Sequence, residues 1–219
     1  MVEVSFRSRA AGIHMLSLLV AAVVALPSLG YPFGRDQGLY FYVGREWLRG
    51  ALPYRDLFEQ KTPGIYVIHA ACIALFGERL WGIRLAEIAA VAAIGFLAGS
   101  LDRARPVRAA TVLGSSILYF GFLNFWDTAQ CELWCALFVI AALFVVERGP
   151  GTSRTASVAG LLFGLALVMK PPIAVFAPVL GWRVRRRAWA RGQWAVALGA
   201  SVAPWLVTFA YFAARGGMG

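Results

Sequence analysis

Residues 156–182 read ASVAGLLFGLALVMKPPIAVFAPVLGW, a largely apolar run that is interrupted in its middle by Met169-Lys170-Pro171-Pro172. Proline interrupts a helix because it lacks an N–H donor, yet it serves well as a first helical residue. A lone lysine between two apolar halves also needs a place outside hydrocarbon. The run therefore predicts two short helices that turn at Lys170.

The rest of the chain is similarly apolar. Hydrophobic residues make up 60% of it and charged residues only 15%, with a mean hydropathy of +0.68. Apolar runs of this kind, many near the 20 residues that span a bilayer, predict membrane helices. The pattern predicts an all-α integral membrane protein with one transmembrane domain over 1–219. Further apolar segments lie at 12–31, 81–101, 109–126, 133–146 and 192–213.

The basic residues predict how the chain is oriented. The net charge of +10 comes almost entirely from arginine, since Lys61 and Lys170 are the only lysines. In a soluble protein this excess would suggest nucleic acid, but here the arginines form short clusters between apolar runs. Such clusters favour the cytoplasmic side of a membrane. We therefore expect membrane lipids as partners and no nucleic acid.

The 15-residue run 63–77 is short for a crossing helix, and the arginine clusters indicate where it lies. If it runs along the membrane surface and the N-terminus is cytoplasmic, every cluster falls on one side. The sequence then predicts about seven crossing helices in the cell membrane, with 32–80 as a large first external loop. The cytoplasmic clusters would be Arg7 and Arg9; Arg103, Arg105 and Arg108; Arg148 and Arg154; and Arg183 to Arg191.

The external loop 32–80 differs from the rest of the chain in its density of charged and aromatic residues. Apolar residues between Leu39 and Trp47 follow helical spacing, and Gly50 is a stop signal. Long loops in compact proteins are usually functional or disordered, and this one is too apolar for disorder. The loop is therefore the predicted location of the functional site.

Three motifs in this loop carry a resemblance. They are Asp36-x-Gly-x-Tyr40, then Leu48-x-Gly50-x-x-Pro53-Tyr54-x-Asp56, then Glu59-x-Lys61-x-Pro63-x-x-Tyr66. Together they resemble the first external loop of C-type glycosyltransferases, such as protein mannosyltransferases and aminoarabinose transferases. The resemblance extends over roughly 12–213 and corresponds to the N-terminal half of longer family members, which predicts a truncated chain. It departs from the family pattern at Gln60 and Thr62.

The resemblance implies a membrane enzyme that moves a sugar from a polyprenyl phosphate to an acceptor outside the cytoplasm. That acceptor would be a protein, a glycolipid or a polysaccharide. The family's catalytic acid falls on Asp36, where a carboxylate could take the acceptor's proton. Alternatively, Asp36 caps a helix or pairs with Arg35.

The two lysines are predicted to bind the donor phosphate, where negative charge develops as the bond to the sugar breaks. For Lys61 the alternative is an anchor to lipid headgroups, and for Lys170 it is a side chain that extends to the membrane interface.

Four acidic residues complete the predicted site. Glu59, Asp127 and Glu132 are candidates for binding a divalent metal or orienting the acceptor. Glu87 lies three residues after Arg84 inside a membrane helix, and this spacing predicts a structural ion pair.

Two other functions remain open at this level. Broken helices and a charge at Lys170 are also typical of transporters or channels. Against this, we find no inverted repeat, and the polar residues concentrate in one loop. The third reading is an inactive truncated scaffold.

Overall fold

A computed structural model describes residues 15–102 and 105–216, without the side chains of Arg105 and Pro106. The described residues are helical and contain no strand, so the all-α prediction is confirmed. The helices run as follows: α1 Met15–Gly30, α2 Arg35–Leu48, α3 Gly64–Phe76, α4 Leu80–Gly99, α5 Arg105–Phe122, α6 Cys131–Arg148, α7 Ser153–Met169, α8 Ala177–Arg186 and α9 Arg191–Ala214.

Local sequence signals account for the helix ends that shape the site. The Gln37 side chain accepts the Gly34 N–H at 2.7 Å and so caps the start of α2. The chain leaves α2 through Gly50, whose φ of +103° suits glycine. The predicted helix before Gly50 is thus confirmed, as is a helix within 63–77.

The apolar run 156–182 breaks where its sequence indicates. Helix α7 ends at Met169, Lys170 is extended, and a 3-10 turn over Pro171–Phe176 leads into α8. The two prolines occupy the first positions of that turn, where a missing N–H donor costs nothing.

Glycines allow α7 and α9 to approach closely. A Cβ at Gly160 would collide with the backbone carbonyl of Ala197, and one at Gly164 would collide with that of Ser201. Small residues commonly allow such contacts between membrane helices. Helix α6 packs on the other side of α7, and α4 packs against both α5 and α6.

We expect Gly160→Leu to destabilise the fold by at least about 1–3 kcal/mol, the usual cost of overpacking. The clash is with backbone, which cannot rotate away. Gly199→Leu is the matched control, because a Cβ there meets no atom within 4 Å. Thermal unfolding in detergent measures the difference, and equal melting temperatures for the two variants would contradict the close packing.

The bundle has a basic end where several arginines bind backbone carbonyls. Arg148 donates to Ser100 O at 3.0 Å and to Leu101 O at 2.7 Å. Arg187 donates to Gly149 O at 3.2 Å. These contacts bring three connections of the chain, 100–102, 148–152 and 183–190, to the same end of the bundle. We call it the basic end.

The opposite end carries the loops with most of the predicted site. Thr62 Oγ1 donates to Met169 O at 2.6 Å, which ties the start of α3 to the end of α7. Trp47 Nε1 donates to the Tyr211 hydroxyl at 2.8 Å, which brings the end of α9 to the same place. We call this the loop end.

Two helices, α4 and α9, are long and apolar enough to cross a membrane. A third span is counted if α1 and α2 are taken together, although they meet at an angle of 73°. This is fewer than the predicted seven. Helices α5 and α7 are shorter apolar helices, and α6 carries Glu132, Glu147 and Arg148 within its 18 residues. Arg7, Arg9 and Arg103 lie outside the described residues.

Candidate functional site

A cavity of about 700 Å³ opens at the loop end. Four stretches of chain that are distant in sequence form it: the start of α2, the loop before α3, the segment from the end of α5 into α6, and the turn after α7. Its charged lining residues are Arg35, Asp36, Lys61, Asp127, Glu132 and Lys170. Five of the six are residues that the sequence analysis singled out for the site.

These six side chains are three cations and three anions, so the formal charge of the lining is balanced. Glu59 is not among the lining residues. Its carboxylate instead accepts the backbone N–H groups of Gln60 at 2.8 Å and Lys61 at 3.3 Å. Glu59 therefore shapes the turn that leads to Lys61.

Asp36 lies in the first turn of α2 and is partly exposed to the cavity. It does not cap the helix, because Gly34 occupies the N-cap position. The Tyr40 hydroxyl lies 3.4 Å from Asp36 Oδ2 and 3.2 Å from Gln130 Oε1, which also lines the cavity. Asp36 is thus partly accessible from the cavity.

Lys170 forms an ion pair with Glu132 at the edge of the cavity. The hydrogen bond that the Lys170 ammonium group donates to Glu132 raises the pKa of Lys170, so this group stays charged at neutral pH. Lys61 is also close enough to interact electrostatically with Glu132. Two cations therefore share one carboxylate, a group that an anionic ligand could replace.

The backbone around Lys61 is held from two sides. The Tyr54 hydroxyl donates to Lys61 O at 2.7 Å, and Tyr54 itself has a strained φ of +72°. A Cβ on Gly64 would lie 2.9 Å from Val168 O, so only glycine lets α3 approach the end of α7 this closely. These contacts keep Lys61 next to the Lys170 turn.

A buried polar network lies behind the cavity. Arg84 Nη1 donates to Glu87 Oε2 at 2.9 Å, and both side chains have no exposed surface. Arg84 also donates to Pro32 O at 2.9 Å and to Thr128 Oγ1 at 2.9 Å. Arg84 therefore connects the loop that contains Pro32 to the loop that contains Thr128. The predicted ion pair with Glu87 is only one part of its contacts.

Gln37 and Tyr119 complete this network, and the sequence analysis missed both. Gln37 is fully buried; its amide donates to Phe125 O at 2.7 Å and accepts from Arg84 at 3.0 Å. The Tyr119 hydroxyl donates to Glu87 Oε1 at 2.7 Å. The sequence did indicate that Arg84 has further partners, because a buried arginine has more N–H donors than the Glu87 carboxylate alone can satisfy.

An apolar groove leaves the cavity between α6 and α8. It has a volume of about 440 Å³, and Glu132 and Lys170 stand at its mouth. Beyond them it is lined by Cys135, Ala136, Val139, Ile140, Leu143, Ile173, Phe176 and Val179. We call it the α6–α8 groove. Its combination of a charged mouth and an apolar interior suits an amphiphile with an anionic head.

The acids do not form a metal cage. Within the described residues, no group of three or more His, Cys, Asp or Glu side chains is arranged to hold an ion. Glu132 faces Lys170, and Glu59 binds backbone N–H groups. A divalent metal at this site therefore stays a prediction.

No protein-family model, curated protein or solved structure matches this chain.

Proposed function

We propose that the chain is a membrane glycosyltransferase that moves a sugar from a polyprenyl phosphate to an acceptor outside the cytoplasm. One observation carries the proposal: a carboxylate, two lysines and the mouth of an apolar groove meet at one cavity. A base, a phosphate site and a place for a lipid chain are what this reaction needs.

The transfer itself needs one proton acceptor and one stabilised leaving group. The acceptor oxygen forms a bond to the anomeric carbon of the sugar while the bond from that carbon to the phosphate oxygen breaks. The bonding electrons leave with the phosphate, and Asp36 takes the acceptor's proton. Lys61 and Lys170 stabilise the charge that develops on the phosphate.

The donor would bind with its phosphate at the two lysines and its first isoprene units in the α6–α8 groove. Its phosphate takes the place of Glu132 beside Lys170, and this exchange of one anion for another keeps the lysine paired. The apolar lining then contributes van der Waals packing against the isoprene units, because a chain that comes from membrane hydrocarbon gains little from the hydrophobic effect.

The proposed orientation puts the loop end outside and the basic end in the cytoplasm, in agreement with the positive-inside rule. About seven helices would cross: α1, α4, α5, α6, α7, the segment Pro171–Arg186, and α9. Helices α2 and α3 would lie along the outer surface, which suits the 73° bend between α1 and α2.

Cysteine labelling tests this orientation. In a background without the three native cysteines, Phe58→Cys should react with an impermeant reagent added outside intact cells, because Phe58 is 98% exposed. Arg185→Cys, which is exposed at the basic end, should react only after the membrane is opened. Labelling of Arg185→Cys from outside would overturn the orientation.

Donor binding tests the role of the lysines. Polyprenyl phosphate should raise the melting temperature of the purified protein, whereas polyprenol, which lacks the phosphate, should raise it much less. Lys61→Ala should weaken polyprenyl phosphate binding by about tenfold or more, because hydrogen bonds to charged groups contribute about 1.5–3 kcal/mol. Lys61→Arg should restore only part of the affinity for polyprenyl phosphate, because the forked guanidinium group of arginine differs in geometry from the ammonium group of lysine.

Arg79→Ala is the control for this experiment, since it removes a cation at the loop end that does not line the cavity. Equal stabilisation by polyprenol and polyprenyl phosphate would contradict the phosphate site. So would wild-type affinity in Lys61→Ala.

Sugar transfer is tested with membranes that contain the chain and with polyprenyl-phosphate mannose or arabinose carrying a labelled sugar. The label should leave the donor and appear in a new covalent product. Movement of intact donor across the membrane, with no new product, would instead identify a transporter.

A further inference from the structure

A second apolar groove enters the cavity next to the α6–α8 groove, and Glu132 and Ala136 of α6 line both grooves. Its floor is Val91 and Ile94 of α4, and its walls come from α5 and α6. The wall residues are Ser115, Tyr119, Leu133 and Ala136, and the volume is about 280 Å³. We call it the α5–α6 groove.

Both grooves are continuous with the cavity, but their mouths differ in charge. Tyr119, Glu132 and Leu133 line both the α5–α6 groove and the cavity. Among the described residues, Glu132 is the only charged one that lines the α5–α6 groove, whereas Lys170 also stands at the mouth of the α6–α8 groove. The α5–α6 groove therefore does not favour a second phosphate and suits an uncharged head that carries a hydroxyl.

The interior of the α5–α6 groove suits hydrocarbon better than a polypeptide. The Ser115 hydroxyl already donates to Val112 O at 3.0 Å, and the Tyr119 hydroxyl is committed to Glu87. A peptide in this groove would therefore lack partners for its N–H and C=O groups, and each unpaired group costs several kcal/mol in an apolar setting.

The groove is also reached from the side of the bundle. Beside it, α5 exposes large apolar side chains, with Leu118 65% exposed and Phe122 77% exposed. In the proposed orientation this face contacts membrane hydrocarbon, so a lipid can enter by lateral diffusion. A water-soluble protein or polysaccharide would have to enter from the aqueous side instead.

We propose that the acceptor is itself a lipid, whose hydrocarbon chain lies in the α5–α6 groove and whose head presents a hydroxyl to Asp36. This inference depends on the proposed glycosyltransferase function and specifies its acceptor class. The two lipids lie in neighbouring grooves that share Glu132 and Ala136 of α6, and their heads meet in the cavity. The hydroxyl oxygen forms the new bond to the anomeric carbon, its proton passes to Asp36, and polyprenyl phosphate leaves.

The test follows the labelled sugar into its product. Membranes that contain the chain are incubated with labelled polyprenyl-phosphate sugar, extracted with chloroform–methanol and treated with mild acid, which cleaves glycosyl phosphates but leaves ordinary glycosides intact. We expect the label in an acid-stable lipid. Label in protein or in water-soluble glycan would overturn the lipid acceptor while leaving the transferase intact.

Two further measurements locate the acceptor. Ile94→Trp, which fills the floor of the groove, should lower transfer about tenfold at limiting acceptor, while stabilisation by polyprenyl phosphate is unchanged. Ile140→Trp in the α6–α8 groove should instead weaken stabilisation by polyprenyl phosphate and leave the acceptor site unchanged. Loss of polyprenyl phosphate binding in Ile94→Trp would overturn the assignment of the two grooves.

A photoreactive residue at position 94 keeps the inference testable if Ile94→Trp fails to fold. After the reaction it should capture the acid-stable labelled lipid. Capture of polyprenyl phosphate, or of unlabelled bulk phospholipid alone, would overturn the acceptor site. If polyprenyl phosphate does not stabilise the chain in the thermal assay, the proposed transferase function itself is contradicted. That result is distinguishable from one that contradicts only the lipid acceptor.

Discussion

Asp36→Asn is expected to lower the rate of sugar transfer by about 10²–10⁴-fold, the usual contribution of a general base. The amide keeps the shape of the carboxylate but cannot take the acceptor's proton. Polyprenyl phosphate binding should remain, because the proposed mechanism assigns the donor phosphate to the lysines and not to Asp36. Transfer of labelled sugar and the thermal assay measure these two quantities separately.

The matched control is Glu78→Gln, an acid that pairs with Arg49 at 2.8 Å and does not line the cavity. Asp56 is less suitable. Its carboxylate accepts Leu52 N at 2.7 Å, and the hydrogen bond from Arg55 lowers its pKa to about 2, so it organises the loop before Lys61. If Asp36→Asn and Glu78→Gln behave alike, Asp36 is not the base.

Arg84→Met is expected to destabilise the fold by about 3–5 kcal/mol, because it leaves the Glu87 carboxylate buried without its cation. At about 2–4 °C per kcal/mol for a chain of this size, this corresponds to a fall in melting temperature of roughly 6–20 °C. Thermal unfolding in detergent measures it, and no catalytic assay is needed.

The double variant Arg84→Met with Glu87→Gln should recover part of that loss. A neutral glutamine carries no unpaired charge, and its oxygen can still accept from Ala129 N, which lies 2.5 Å from Glu87 Oε1. If the loss of stability in the double variant equals the sum of the losses in the two single variants, Arg84 and Glu87 are not a coupled pair. A melting temperature of Arg84→Met equal to wild type would show that the network contributes little.

The residue pattern predicted the helices well because each signal was local. Gly50 ended α2, and the prolines after Lys170 ended α7. The number of crossing helices was harder to predict. The length of α6 is compatible with a membrane crossing, but its charged residues count against one. Its 18 residues are apolar in the middle but carry ionisable groups near both ends, where an interface would accept them.

The sequence identified Lys170 because a lone charge between two apolar halves is unusual. It identified Asp36 through the resemblance of its motif, and the structure places both side chains at one cavity. Gln37 is not unusual, since a glutamine at the start of a helix is commonly solvated. Its burial against residues 125–128 depends on how two loops meet, and no local pattern encodes a contact between residues 88 positions apart.

The balanced charge of the cavity has a kinetic consequence. Three cations and three anions so close together produce little field beyond a Debye length, about 8 Å at physiological ionic strength. If the proposed donor binds here, it is therefore not steered to the cavity from a distance, and two-dimensional diffusion in the bilayer would set its arrival. The association rate should depend on lipid density and membrane viscosity, and hardly on salt.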